Sequence, residues 1–170
     1  MTMIGTGQVI SAMVSYFAGD TRRINHFLKV YGLAKTIGEM EDLDEKTLRI
    51  LEVAAVTHDI GIKNSELKYN SSAGCYQQTE GPPEAKKLLE DLWFGDQLIE
   101  RVCWLIAHHH TYDDITDMDC QILIEADFLV NAYEDELSLS AIQNVEKTIF
   151  RTKTGKRLLG ELYKLKQEGM

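Results

Sequence analysis

The sequence predicts an all-α fold, a compact single-domain helical bundle, and three observations carry that prediction. Apolar residues recur at helical spacing along nearly the whole chain, as at Ile24, Phe27, Tyr31, Ala34 and Ile37. Alternating apolar and polar runs bounded by turns, the mark of half-buried strands, are hard to find. Residues that start helices recur along the chain: Asp20, Asp44, the pair Pro82 and Pro83, Asp96 and Asp119. They either accept first-turn amides or have no amide to leave unpaired. At 170 residues, 44% of them hydrophobic, the chain has the size of one domain and enough apolar surface for a core.

In order along the chain, a short helix opens the sequence and runs to about Phe17. Asp20 then starts a helix over 21–40 and Asp44 one over 45–59; the second carries the apolar run LEVAAV, which Gly61 is placed to stop. Residues 61–79, rich in Ser, Asn, Gly and Lys, read as one long irregular stretch, and a loop of that length inside a compact domain is usually functional or disordered. Its place directly after His58 and Asp59 favours function. Pro82 and Pro83 start a helix over 82–92, Asp96 one over 97–109 and Asp119 one over 119–135. Helices over 140–150 and 155–167 close the chain, the last amphipathic with basic residues outward and suited to packing or a homodimer contact. Trp93, Phe94 and Trp104 read as core, and the acidic YEDEL segment around Glu134 as a solvated helix end or turn.

The net charge of -9 and pI near 5.0 make long nucleic acid an unexpected partner, because duplexes are bound by clustered Lys and Arg. A small anionic substrate stays open, since a divalent cation creates a local positive field on an acidic surface. Cys75, Cys103 and Cys120 are odd in number and never spaced as CxxC, so neither a disulfide framework nor a thiolate zinc site is indicated. Reduced thiols fit the cytoplasm. The first residues lack the basic region of a signal peptide, and no segment reaches membrane-spanning length.

Chemistry concentrates where ionisable residues interrupt apolar helices. THDIGI puts His58 and Asp59 side by side at the end of an apolar helix. Such a dipeptide could also cap the helix or pair internally. His26 lies in INHFLKV and Asp127 in ILIEADFLV, where a solitary charge would be poorly solvated. One divalent cation would satisfy all four, since imidazole with carboxylate is a usual ligand set for zinc, iron, manganese or nickel.

The order His, then His-Asp, then a distant Asp on an all-helical chain resembles the HD-domain superfamily of metal-dependent phosphohydrolases. LEVAAVTHDIG and EADFLVN are similar to its signature segments, and the likeness spans roughly His26 to Asp127. The resemblance implies that His26, His58, Asp59 and Asp127 are metal ligands. Many members hold a second metal through histidines between the His-Asp pair and the last Asp. IAHHHTY is similar to one such segment, which implies His109 and His110 and leaves out His108. The other segment departs from the pattern: EGPPEA has Glu80 where the family often has His. As a harder, anionic ligand Glu80 would favour harder metals; otherwise it is a charge near a helix start. Asp59 would then be shared between the two metals.

The stretch KNSELKYNSSAGCYQQTEGPPEA is also similar to one from a group of small stand-alone bacterial HD proteins. Lys63 and Lys68 in it have two readings, catalytic partners of a substrate phosphate or solvated lysines. Ser71, Ser72 and the Gly74 amide could add hydrogen bonds there.

The resemblance thus implies a phosphohydrolase that cleaves the phosphate ester of a small molecule, with a nucleotide favoured, by attack of metal-activated water. One or two divalent metals per chain are expected, iron or manganese ahead of zinc, cobalt, nickel or magnesium. The superfamily also contains di-iron oxygenases, and a non-catalytic metal- and nucleotide-binding sensor is a third reading.

Overall fold

The computed structural model describes residues 4–165, which form nine helices and, among the described residues, no strand. They are α1 (Thr6–Tyr16), α2 (Thr21–Met40), α3 (Glu45–Thr57), α4 (Ile62–Tyr69), α5 (Gly74–Asp91), α6 (Asp96–His108), α7 (Met118–Glu134), α8 (Leu139–Thr148) and α9 (Lys153–Tyr163). The expected all-α class is what the chain adopts. No described helix is long and apolar enough to cross a membrane. Residues 166–167 of the last expected helix lie outside the described residues.

Two helices that are apolar on almost every side form the middle of the molecule, as helices enclosed by others must be. In α3 every residue from Ile50 to Thr57 except Glu52 is buried, and in α7 the run from Asp119 to Asp127 is buried throughout. α3 packs against α1, α2, α6 and α7, while α2 covers both α3 and α7. Each large aliphatic side chain that these helices remove from water contributes about 1.5–3 kcal/mol, so the centre is the most rigid place from which to present a side chain.

Two of the expected helix starts act as true caps. Asp20 accepts the Arg23 amide at 3.1 Å, and Asp44 accepts the Lys46 and Thr47 amides at 3.0 Å each. Asp96 and Asp119 instead lie in first turns, behind Gly95 and Asp117 at the caps. Asp119 takes the Arg101 guanidinium in a two-pronged pair at 2.9 and 2.7 Å.

The stretch 61–79 is not irregular. It holds α4 and the start of α5, and α5 runs straight through Pro82 and Pro83 rather than starting there. Each proline leaves one upstream carbonyl without its helical amide, a cost that tertiary packing overrides here because α5 is laid between α4 and α6. The contact is unusually close. A methyl group added to Gly61 would meet the Gly81 nitrogen at 2.6 Å and the Gln77 carbonyl oxygen at 2.8 Å. Gly61 thus serves backbone-to-backbone approach, with a φ of -73° that other residues could also adopt.

Two of the residues expected in the core lie elsewhere. Phe94 is buried, but Trp93 is 87% exposed in a left-handed turn after α5, and Trp104 is half-exposed, stacked on His108 at 4.0 Å with Arg101 over its ring. On the other flank, the buried Glu125 of α7 ties down the junction of α8 and α9. Its carboxylate accepts the Arg151 amide at 2.6 Å, the Thr152 amide at 3.0 Å, the Gln121 amide group at 2.7 Å and the Thr152 hydroxyl.

Two glycine substitutions test this packing in opposite directions. Gly61→Ala forces backbone apart and is expected to destabilise by about 1–3 kcal/mol, lowering the thermal midpoint by about 2–4 °C per kcal/mol. Gly32→Ala, in open space on the exposed side of α2, is expected to stabilise by about 0.5–1 kcal/mol. Equal melting curves for both proteins would contradict the close approach.

Candidate metal centre

Four segments bring their polar side chains to one point. His26 comes from the buried side of α2 and Asp127 from the middle of α7. His58 and Asp59 follow the end of α3, where bonds from the Ile60 amide to the Thr57 carbonyl and from the Ile62 amide to the Asp59 carbonyl, each 3.0 Å, tighten the chain. His109 follows the end of α6, fully buried.

Their atoms converge closely. His26 Nε2 lies 3.2 Å from His58 Nε2, 3.3 Å from Asp59 Oδ2 and 3.2 Å from Asp127 Oδ1. His58 Nε2 is 3.4 Å from both of those carboxylate oxygens. Across the shared carboxylate, Asp59 Oδ1 is 3.6 Å from His109 Nε2.

The tautomers follow from what the other ring nitrogens touch. His58 Nδ1 is 2.8 Å from the Ala55 carbonyl, His109 Nδ1 2.7 Å from the Ile106 carbonyl, and His26 Nδ1 2.8 Å from Glu134 Oε2. Those oxygens only accept, so each Nδ1 carries the proton and donates it. The three Nε2 atoms of the neutral rings therefore present lone pairs to one another and to two carboxylates. Such an arrangement is repulsive until a cation or extra protons enter.

Charge equilibria in the ion-free protein say the same. Burial pushes His58 down, yet the Asp59 and Asp127 carboxylates outweigh it and hold the ring well above its ordinary value. His26 is raised on the same balance, burial against Asp127 and Asp59. Burial would raise the two aspartates, but the imidazoles pull Asp59 well below the usual carboxylate range and Asp127 below it as well. The four groups together call for one shared cation.

A metal fits these residues. Donors bound at about 2.1 Å around one ion stand roughly 3.0–3.4 Å apart, the spacing of the His26, His58, Asp59 and Asp127 atoms. Asp127 Oδ1 and His109 Nε2 are buried with no hydrogen-bond partner among the described residues, and orphaned buried atoms of this kind call for an explanation such as an ion. Glu125, two residues before Asp127 on the same helix, is the contrast: it is equally enclosed and its oxygens are taken by protein donors. Three overlapping groups of donor atoms could hold a metal: His26, His58 and Asp59; His58, His109 and Asp127; and Asp59, His109 and His110.

Glu80, Lys63 and Lys68 are not among them. Glu80 is buried, but its oxygens accept from Lys68 Nζ at 2.6 Å and Tyr69 Oη at 3.0 Å, so the carboxylate and the lysine occupy one another. Lys63 donates to the Tyr16 carbonyl at 3.2 Å and lies over the Tyr16 ring, on the α1 side. His108 has its Nδ1 on the Trp104 carbonyl at 2.7 Å, as a helix-end histidine would. His110 lies against the site, its ring 3.9 Å from that of His109, and burial together with His109 pushes it down to about 4. Its ring packs on Gly74, where a methyl group would come within 2.7 Å.

The cluster opens into a cavity of about 600 Å³ whose walls include His26, Asp59, His110 and Asp127. Arg22, Arg23, Gln77 and Glu134 also line it, and none of these was singled out from sequence. Glu134 is not a solvated helix end: it orients His26, bonds Lys29 as well, and is held below the usual carboxylate range against burial by that lysine and that histidine. A sequence signal existed, because Glu134 is two turns after Asp127 on the same face of α7. Arg23 bonds Asp20 at 3.0 Å and Glu66 at the cavity wall.

The HD domain family model matches residues 23–145. The chain belongs to the HD domain family. In structure it is similar to a predicted HD superfamily hydrolase from an uncultured Thermotogales bacterium, known from a crystal structure at 1.45 Å resolution. The TM-score is 0.66 and the identity 23%, over 92% of this chain and 84% of that one. No curated protein matches the chain in sequence.

Metal uptake by such a cluster competes with protons for His26 and His58, because the neighbouring aspartates that favour a cation also raise the proton affinity of both rings. Adding manganese(II) to ion-free protein near pH 7 is expected to release about one proton per ion or more into weakly buffered solution. At about a hundredfold excess over the dissociation constant it should raise the thermal midpoint by about 5–10 °C. Affinity should fall as the pH is lowered toward 5. Uptake with no proton release would contradict the charge balance drawn here.

Proposed function

We propose that this chain is a metal-dependent phosphohydrolase acting on the phosphate ester of a small molecule, a nucleotide being the favoured class. The observation that carries the reading is the buried convergence of His26, His58, Asp59 and Asp127, three of which, His26, Asp59 and Asp127, line a 600 Å³ cavity. The description of the Thermotogales relative as a hydrolase supports it.

When bound, a divalent ion would supply a water acidified to a pKa of about 7 and a positive charge for the phosphate oxygens. Iron or manganese suits the mixed imidazole and carboxylate donors best. The protein's own part is positional. His26, His58, Asp59 and Asp127 hold the ion, Glu134 sets the ring of His26, and the Ala55 carbonyl sets that of His58. Arg23 takes the role given above to Lys63 and Lys68. Its guanidinium is anchored by Asp20 and Glu66 on the cavity wall and keeps donors free for a substrate phosphate, with Arg22 beside it. A cavity of this size holds a nucleotide-sized molecule.

Asp59→Ala is expected to lower metal-dependent phosphate release by roughly 10³-fold or more while the helical circular-dichroism spectrum stays intact. Arg23→Ala is expected to raise KM about tenfold, the loss of one charge-assisted hydrogen bond of about 1.5 kcal/mol, with a smaller change in kcat. Assays run under strict anaerobiosis on a panel of nucleotides and phosphomonoesters decide the reaction class. Release without dioxygen excludes an oxygenase, whereas tight nucleotide binding without release under any metal would make the chain a sensor.

A further inference from the structure

We infer that Gln77 supplies a neutral oxygen donor to the second donor set, so that the chain binds a second divalent ion more weakly than the first. The inference rests on the metal-centre reading above and adds a residue to it.

The second set starts from the outer oxygen of Asp59. His109 Nε2 lies 3.6 Å from Asp59 Oδ1, fully buried and without a hydrogen-bond partner, and His110 stands beside it. Gln77 is buried on α5 and lines the same cavity. Its amide nitrogen donates to the Ser72 carbonyl at 2.7 Å. A carbonyl can only accept, so that bond fixes the orientation of the amide and turns Oε1 toward the site. Oε1 then lies 3.5 Å from His110 Nε2. That distance is long for a hydrogen bond but close to the spacing of two donors sharing one ion. The backbone beneath Gln77 is pinned, because its carbonyl and the Gly81 nitrogen are pressed against Gly61.

Glu80, one turn later on α5, is engaged elsewhere: Lys68 and Tyr69 each bond one of its oxygens. The first set carries two carboxylates, Asp59 and Asp127. The second has only its share of Asp59, two imidazoles and an uncharged amide. Less negative charge means weaker retention, and an amide oxygen favours hard ions such as manganese(II) or magnesium over zinc.

The test is titration of the ion-free full chain with manganese(II), following free ion by electron paramagnetic resonance and heat by calorimetry. Two steps are expected in the unaltered protein, the second at least about tenfold weaker. Gln77→Leu should weaken the second step by about tenfold or more and leave the tight step in place, which also shows that the protein is folded. Gln77→Glu should strengthen the second step by about tenfold, since it keeps an oxygen at the same reach and adds charge. Both variants lose the bond to Ser72, so opposite shifts separate oxygen donation from a change in the turn. A single step in the unaltered protein, no response to either variant, or equal weakening by both overturns the inference and leaves the metal centre standing. No step at all would instead overturn the metal centre.

Discussion

Everything at this site depends on one constraint, the direction in which three imidazoles are forced to point. Each ring has its Nδ1 on an oxygen that can only accept, two of them backbone carbonyls of the preceding helix turns. A neutral ring so placed has nothing but a lone pair to offer at Nε2. Two such lone pairs face one another at 3.2 Å with two carboxylate oxygens alongside, at the edge of the cavity. The folded chain has aimed electron density at a point and left the positive charge to come from outside.

That aim needs a stiff support, and the helices around it supply one. His58 and Asp59 leave the end of α3, whose last turns are buried on every side, and the chain then turns so tightly that Gly61 lies on the backbone of α5. The same contact fixes the backbone of Gln77, which lines the cavity. Glu125 makes the comparison instructive. It shows that this fold can bury a carboxylate and satisfy it with its own amides and hydroxyls. Asp127, on the same helix, receives no such donors. The difference is a matter of what surrounds each group and not of depth.

Much of this was legible in the sequence, because helix periodicity and ionisable residues inside apolar runs are local signals. The span 21–40 and the Asp20 and Asp44 caps could be read for that reason, as could the grouping of His26, His58, Asp59 and Asp127. What escaped depends on contacts between distant segments. Pro82 and Pro83 carry the usual mark of a helix start, and only the packing of α5 between its neighbours shows the helix running through them. Glu80 and Gln77 differ by one turn, and which of them faces the cavity is decided by Lys68 and Tyr69 on α4, a helix the composition of 61–79 did not announce. Arg23 lies in the first turn of α2, and only the folded chain brings Asp20, Glu66 and the cavity beside it.

Electrostatics completes the picture of how an acidic protein can receive an anion. The chain carries a formal charge of -9, and its cavity walls add Asp20, Glu66, Glu134 and Asp135 to the two aspartates of the cluster. Most of those outer carboxylates are already paired, Asp20 and Glu66 with Arg23 and Glu134 with Lys29 and His26. Those pairs offset much of the outer negative charge, and Asp59 and Asp127 stand where a divalent ion would reverse the local field. A phosphate would then meet positive charge from two sides, the ion at the floor and the anchored guanidinium at the wall, inside a surface that repels larger polyanions. The acidity of the protein and an anionic substrate are therefore compatible, provided that the substrate is small enough to be neutralised within the cavity.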